Sequence, residues 1–511
     1  MTKARLSALT LGLLLIGGAC APKAWAEDAA CRVGDTGYQS LSEAVTEVMS
    51  GKAAGEIELL RDCTLDVGAV TAPVTIRGGG HSVVIPAQSR SENGALSVNS
   101  TLRFSAAQVS LSNPGSWSAV IGSKGALELV EGSHCSFTAS GIYASPDAVI
   151  SLDASSMSLE NMRYTCMMAE AYGQLRLANG SELGISKPMG INGITGFDIS
   201  LDASGLSVTD CPRQGLVKCN LTLSNGAWAD ISGNGTGYNL YSYNVLTVNG
   251  GTSLRMNGNA SAAILMQGKS SVHILPEGYF ECRENGKAWK AENTDAAYGS
   301  KAAVNIGWFN AQYIYTGGVV NIEDGAQAAI SDNYSRALTN YGRVYLGDGS
   351  VVTGNGALAE GEGPSARRVE LGGGVNNHGS LTLAEGAVLD NNHASLGGDD
   401  IYNAEDGALS LPVVRKGRAL DETADTKDCG HQITGWFRDE IGRRWNAHGE
   451  DLFMEELAAG DYSEALELKA AHGILPAPAT GDVSMPALWL ALLLVSGAGL
   501  LLMGLRRRDR R

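Results

Sequence analysis

The side chains with most capacity for chemistry cluster late in the chain. His378 precedes Gly379, Asp390 and His393 follow closely, and Asp399 and Asp400 are adjacent. Two carboxyl groups near a histidine could hydrolyse a glycosidic bond, one as general acid and the other activating water. The same residues also suit turns, because Gly397-Gly398 tolerates left-handed backbone and aspartates bond their own chain. A second reactive stretch is Pro478-Ala479-Thr480-Gly481, where the proline favours an extended chain. Of nine cysteines, Cys31 with Cys63 and Cys211 with Cys219 are the candidate disulfides, with buried thiols as the alternative. No Cys-x-x-Cys pair or histidine-containing zinc spacing occurs, so neither a metal nor another cofactor is expected. His81, after three glycines, reads as a turn residue.

These groups sit on a repeat. Residues 379–391 set out the unit: a glycine, an alternating apolar strand, a turn ending in glycine, a second short strand and an asparagine. Close copies begin at Gly173, Gly318 and Gly342, and looser ones near Gly125, Ala148, Gly196, Cys219, Asn244, Ser270 and Gly407. Starts fall mostly about 24 residues apart, or about twice that where one copy is taken as degenerate, the spacing of a stacked array. Alternation gives each strand one buried face, and a lone strand pair cannot bury it, so the copies must stack. Residues 94–414 are therefore expected to form an all-β parallel solenoid with three short strands per rung of about 24 residues, roughly 60 Å long. Asn257, Asn333 and Asn391 follow strands and fit turns, where stacked asparagines would form ladders.

An open solenoid end exposes apolar side chains and unpaired edges, so residues 27–93 are expected to cap it. Ser40–Met49 puts Leu41, Ala44, Val45, Val48 and Met49 on one helical face, with Ser40 or Ser42 as cap and short strands after it. This opening resembles that of secreted right-handed parallel β-helix proteins of the pectate-lyase-like superfamily. Gly372-Gly373-Gly374-Val375-Asn376-Asn377 and residues 397–403 resemble the GGGxxN-type repeats of bacterial adhesin-like β-helix proteins. The resemblance implies a right-handed rod. It leaves two functions open, since the fold hosts both: adhesin-like binding of host or environmental glycans or proteins, or a surface polysaccharide lyase or glycoside hydrolase using His378, Asp390, Asp399 and Asp400.

Composition narrows the field. Gly 66 in 511 residues and 6% aromatics favour tight turns and short strands. The formal net charge of −16, with both termini basic, makes the body acidic and argues against nucleic acid as partner. Residues 1–26 read as a signal peptide, with Lys3 and Arg5, an apolar run, and Ala24-Trp25-Ala26 before the cleavage point. Residues 415–470 form a small membrane-proximal unit. It resembles the β-grasp-like repeat of Gram-positive surface proteins through Gly435-Trp436-Phe437 and a final strand; the alternative is a cap in which Trp436 and Trp445 pack on the last rung.

Residues 471–486 are a linker, 487–505 an apolar run long enough to span a bilayer, and 506–511 a basic tail that places the C-terminus in the cytoplasm. Pro478, Thr480 and Gly481, the span and the tail together resemble a sortase cell-wall sorting signal. That resemblance implies cleavage between Thr480 and Gly481, transfer to peptidoglycan, and a location at the cell surface; a plain single-span anchor is the alternative.

Overall fold

Short alternating strands here stack in register into a parallel β-solenoid of the right-handed type, with about 12 turns. The computed structural model describes residues 28–87, 94–190, 192–288, 302–309, 314–315, 317–357, 369–413, 431–440 and 456–474. The signal peptide with Ala24 and Ala26, the sorting residues Pro478, Thr480 and Gly481, the apolar run 487–505, the tail 506–511, Cys429 and Trp445 lie outside these residues. No described helix is long and apolar enough to cross a membrane.

One register shows the stacking. Gln108 pairs with His134, then Ser156, Glu182, Gly205, Trp228, Ser253 and Tyr279 in successive turns, all parallel and 22 to 26 residues apart. The next step differs from the repeat reading. Tyr279 pairs directly with Gln327, so no degenerate rung intervenes between the copies at Ser270 and Gly318. The additional residues instead fall within one turn, on either side of the strand Ala302–Ile306. Inward residues such as Leu127, Ile150, Leu175, Ile199, Leu221 and Leu246 stack on one another in a core that is continuous along the rod. Burying each such side chain is worth about 1.5–3 kcal/mol.

Buried asparagines brace one bend of every later turn. Asn234, Asn259, Asn285, Asn333, Asn355 and Asn392 stand above each other; Asn234 Oδ1 accepts from Cys211 N, and each later Oδ1 from the backbone N–H of the asparagine before it. From Asn259 onward the side-chain amide donates to the next Oδ1 as well, at 2.7–2.9 Å. A shorter ladder runs Asn340, Asn377, Asn403. Of the three asparagines singled out by sequence, Asn333 is a ladder member. Asn391 takes a left-handed turn, and Asn257 donates to Glu281 on the flank.

Both ends switch to antiparallel pairing, which stops the sheet from extending. At the start, Cys31–Val33 pairs antiparallel with Thr36–Tyr38 and with Ile57–Leu59. The helix Leu41–Met49 buries Leu41, Ala44 and Val45 on the first rung, and Ser40 Oγ caps it by accepting from Glu43 N at 3.2 Å. At the other end, Leu466–Ile474 pairs antiparallel with Ile401–Asn403 and with His431–Arg438, and Gly460–Tyr462 with Ala408–Leu411. Trp436, 1% exposed, joins the rod's own core. The end unit is thus a cap hydrogen-bonded to the last rung.

The candidate disulfides are corrected. Cys31, Cys63, Cys211 and Cys219 are free buried thiols, as are Cys135, Cys166 and Cys282. Each acts as a small apolar filler, and the sulfurs of the four candidates rest on backbone carbonyls, Cys63 Sγ 3.2 Å from Arg61 O and Cys219 Sγ 3.3 Å from Val217 O. Burial pushes the Cys31, Cys211 and Cys219 thiols up to about 12.

Candidate functional site

The strand Ile401–Asn403 pairs with Val375–Asn377, so Asp400 precedes this column of strands and His378 follows it. Three extended residues separate the two positions, about 13 Å of chain. The histidine and the paired aspartates therefore do not share a site. His378 stacks on Tyr341, with ring centroids 4.7 Å apart, meets the edge of Tyr402, and lies 3.1 Å from Asp406 through Nδ1. His81 sits at a turn beside Asp62, at 3.7 Å.

The three aspartates do come together, but inside the seam between the last rung and the cap. Asp390 and Asp400 are fully buried and Asp399 nearly so. Asp400 ends the asparagine ladder. Its Oδ1 accepts from Asn392 N and Nδ2 at 3.1 and 2.9 Å, and its Oδ2 from Ala470 N of the cap at 2.7 Å. Asp399 accepts from Ala394 N at 2.8 Å, faces Lys469 Nζ at 3.4 Å, and donates its own N–H to Asp439. Burial raises the Asp400 carboxyl well above the ordinary range, and neighbouring Asp390 and Asp399 push the same way against the bonds from Ala470 and Asn392. Glycoside hydrolysis needs its carboxyl groups on either side of an accessible bond. Asp399 and Asp400 instead fasten the cap to the rod.

The more exposed chemistry lies on a corner that sequence reading passed over. Backbone pairing aligns Gln174 with Asp198 and then Asn220, one above another. Just before these positions the chain turns through left-handed backbone: Tyr172 at φ 45°, Gly196 at 77°, Lys218 at 51° and Tyr243 at 75°. Glycine is the natural occupant of such a position, and Gly196 could hardly be replaced, since a Cβ there would lie 2.3 Å from Ala169 O. Two tyrosines and a lysine hold the other places with their side chains outside, Tyr172 42% and Tyr243 69% exposed.

Tyr172 is anchored at a distance. Its hydroxyl meets Asn244 Nδ2 at 3.2 Å, so its ring extends along the rod across the turns of Gly196 and Lys218. Asn244, fully buried, also donates to Asn220 Oδ1 and accepts from Tyr241 N. Beside the rings runs a half-buried polar row, with Gln174 Nε2 on Asp198 at 3.1 Å and Asn220 Nδ2 on its other oxygen at 2.5 Å. Lys218 Nζ sits 5.0 Å over the Tyr241 ring. The floor is rigid, because the buried Tyr238 donates its hydroxyl to Cys219 O at 2.7 Å. The sequence signal for this corner was Tyr238, Tyr241 and Tyr243 bunched at one rung of an aromatic-poor chain, with Tyr172 in the register of Gly196. No protein-family model, curated protein or solved structure matches this chain.

Proposed function

We propose that this chain is an exported, surface-anchored binding rod, adhesin-like in action, which recognises a glycan or protein outside the cell. The observation that carries this reading is the tyrosine corner. Left-handed backbone recurs at turns along the whole rod, at Ala106, Glu131, Asn179 and Lys187 among others, so what marks this corner is its occupants: two exposed tyrosines beside a half-buried polar row. The stacking alone requires no bulky residue there, since Gly196 fills the same register. The leader 1–26, the Pro478-Ala479-Thr480-Gly481 motif, the span 487–505 and the basic tail support export and attachment through Thr480 to the wall. A stiff solenoid would then hold the corner clear of the surface.

Full-length protein purified in detergent is applied to printed glycans and to surface proteins, with reducing-sugar release followed in parallel. Binding without release is the expected result; steady release from a polysaccharide would replace this reading with a lyase or hydrolase. Thr480→Ala should move the chain from purified wall to the membrane fraction, and equal wall recovery would defeat the sorting step.

A further inference from the structure

We propose that the Tyr172 corner binds a neutral, extended oligosaccharide, with pyranose rings against Tyr172 and Tyr243 and hydroxyl groups on the Gln174–Asp198–Asn220 row. This assignment rests on the binding-rod reading and gives it a ligand class and a place. Three features of the corner select a sugar. First, Tyr172 runs along the rod with 42% of its surface open and its hydroxyl tied to Asn244, which offers apolar ring surface at little entropic cost. Second, the polar row repeats once per turn, about 4.8 Å apart. Successive sugars in an extended glycan advance by about the length of one ring, so neighbouring units meet equivalent groups.

Third, the row has hydrogen-bonding capacity to spare. The Asp198 carboxylate receives one amide on each oxygen, while a carboxylate can accept about four donors. Hydroxyl groups are donors that fit this remainder. Lys218 lies over the Tyr241 ring, while Asp198 on the row and Glu170 at the Tyr143 hydroxyl are acidic, so the corner has no concentrated positive charge for sulfated or uronic chains. A peptide adding as a strand would need an unpaired sheet edge, and these strands are paired on both sides along the rod.

The test compares full-length protein with Tyr172→Gly, Tyr243→Asn and Asp198→Asn on an array of neutral hexose oligosaccharides of four to six units. Glycine and asparagine suit left-handed backbone, so the tyrosine variants keep the turn while removing the ring. Circular dichroism and hydrogen exchange of residues 192–224 check that the rod is intact. Loss of affinity by about tenfold or more in Tyr172→Gly, and a smaller loss in Asp198→Asn, is expected. Unchanged sugar binding by folded Tyr172→Gly overturns this site and leaves the binding rod standing. Binding confined to proteins or peptides overturns the sugar assignment alone. Binding to nothing on either array overturns both.

Discussion

Replacing Asn285 by alanine tests whether the asparagine ladder stabilises the rod. Asn285 Oδ1 accepts from both Asn259 N and Asn259 Nδ2 at 2.9 Å, and its amide donates to Met256 O, Arg283 O and Asn333 Oδ1 at 2.9–3.0 Å. Alanine removes all of these at a site with no access to water. The neighbours suffer unequally. Asn259 Nδ2 still reaches Ile231 O, and Asn333 Oδ1 still accepts from the residue-285 backbone N–H. The Asn259 N–H is stranded outright, at about 1–3 kcal/mol, and the lost contacts of the amide add roughly one more. The expected loss is therefore about 2–4 kcal/mol, felt mainly in the adjoining turns because each rung touches only its neighbours. Hydrogen exchange with mass spectrometry should show residues 256–262 exchanging at least about tenfold faster, with distant rungs little changed. Asn321, on a strand flank where it donates to Glu323, is the control, and its alanine variant should cost under about 0.5 kcal/mol. Equal effects of the two substitutions would refute the ladder argument.

Two further outcomes follow from the buried groups. Asp400 has its folded pKa above the unfolded value, so its contribution to stability is fully present below the ordinary carboxylate range and is lost as pH rises through the raised value. The stability difference between parent and Asp400→Asn should shrink as pH rises, and a difference that grows with pH would defeat this assignment. The buried thiols of Cys31, Cys135, Cys166, Cys211, Cys219 and Cys282 should resist alkylation in the native protein and all react after unfolding without reductant. Continued protection of a pair after unfolding would reveal a disulfide instead.

Much of the scaffold was legible because it depends on local periodicity. Alternating Leu381 and Leu383, or Leu221 and Leu223, require one buried face, and a recurring unit of about 24 residues leaves stacking as the way to bury it. The capped helix after Ser40 was legible for the same reason, since its cap and its apolar face are local signals. The double spacing after Ser270 was misread, because a rung with insertions and a degenerate rung have the same length; only the pairing of Tyr279 with Gln327 separates them.

Side-chain roles were harder to read than strands. Asp399-Asp400 and His378 lie close in sequence but on opposite ends of one strand column, and the burial of the aspartates depends on a cap some 70 residues further on. Gly-Gly-Asp-Asp reads as turn chemistry, and Gly398 does take left-handed backbone, but the run could not say that Asp400 would end a ladder begun at Asn234. The sequence by itself determined the alternation, the period, the helix and the acidic body, since each follows from residues near one another in the chain. Tertiary structure alone decided which polar groups are sealed and which tyrosines share a corner. Tyr172 and Asn244 lie 72 residues apart and meet only because three turns of the solenoid bring them to one edge.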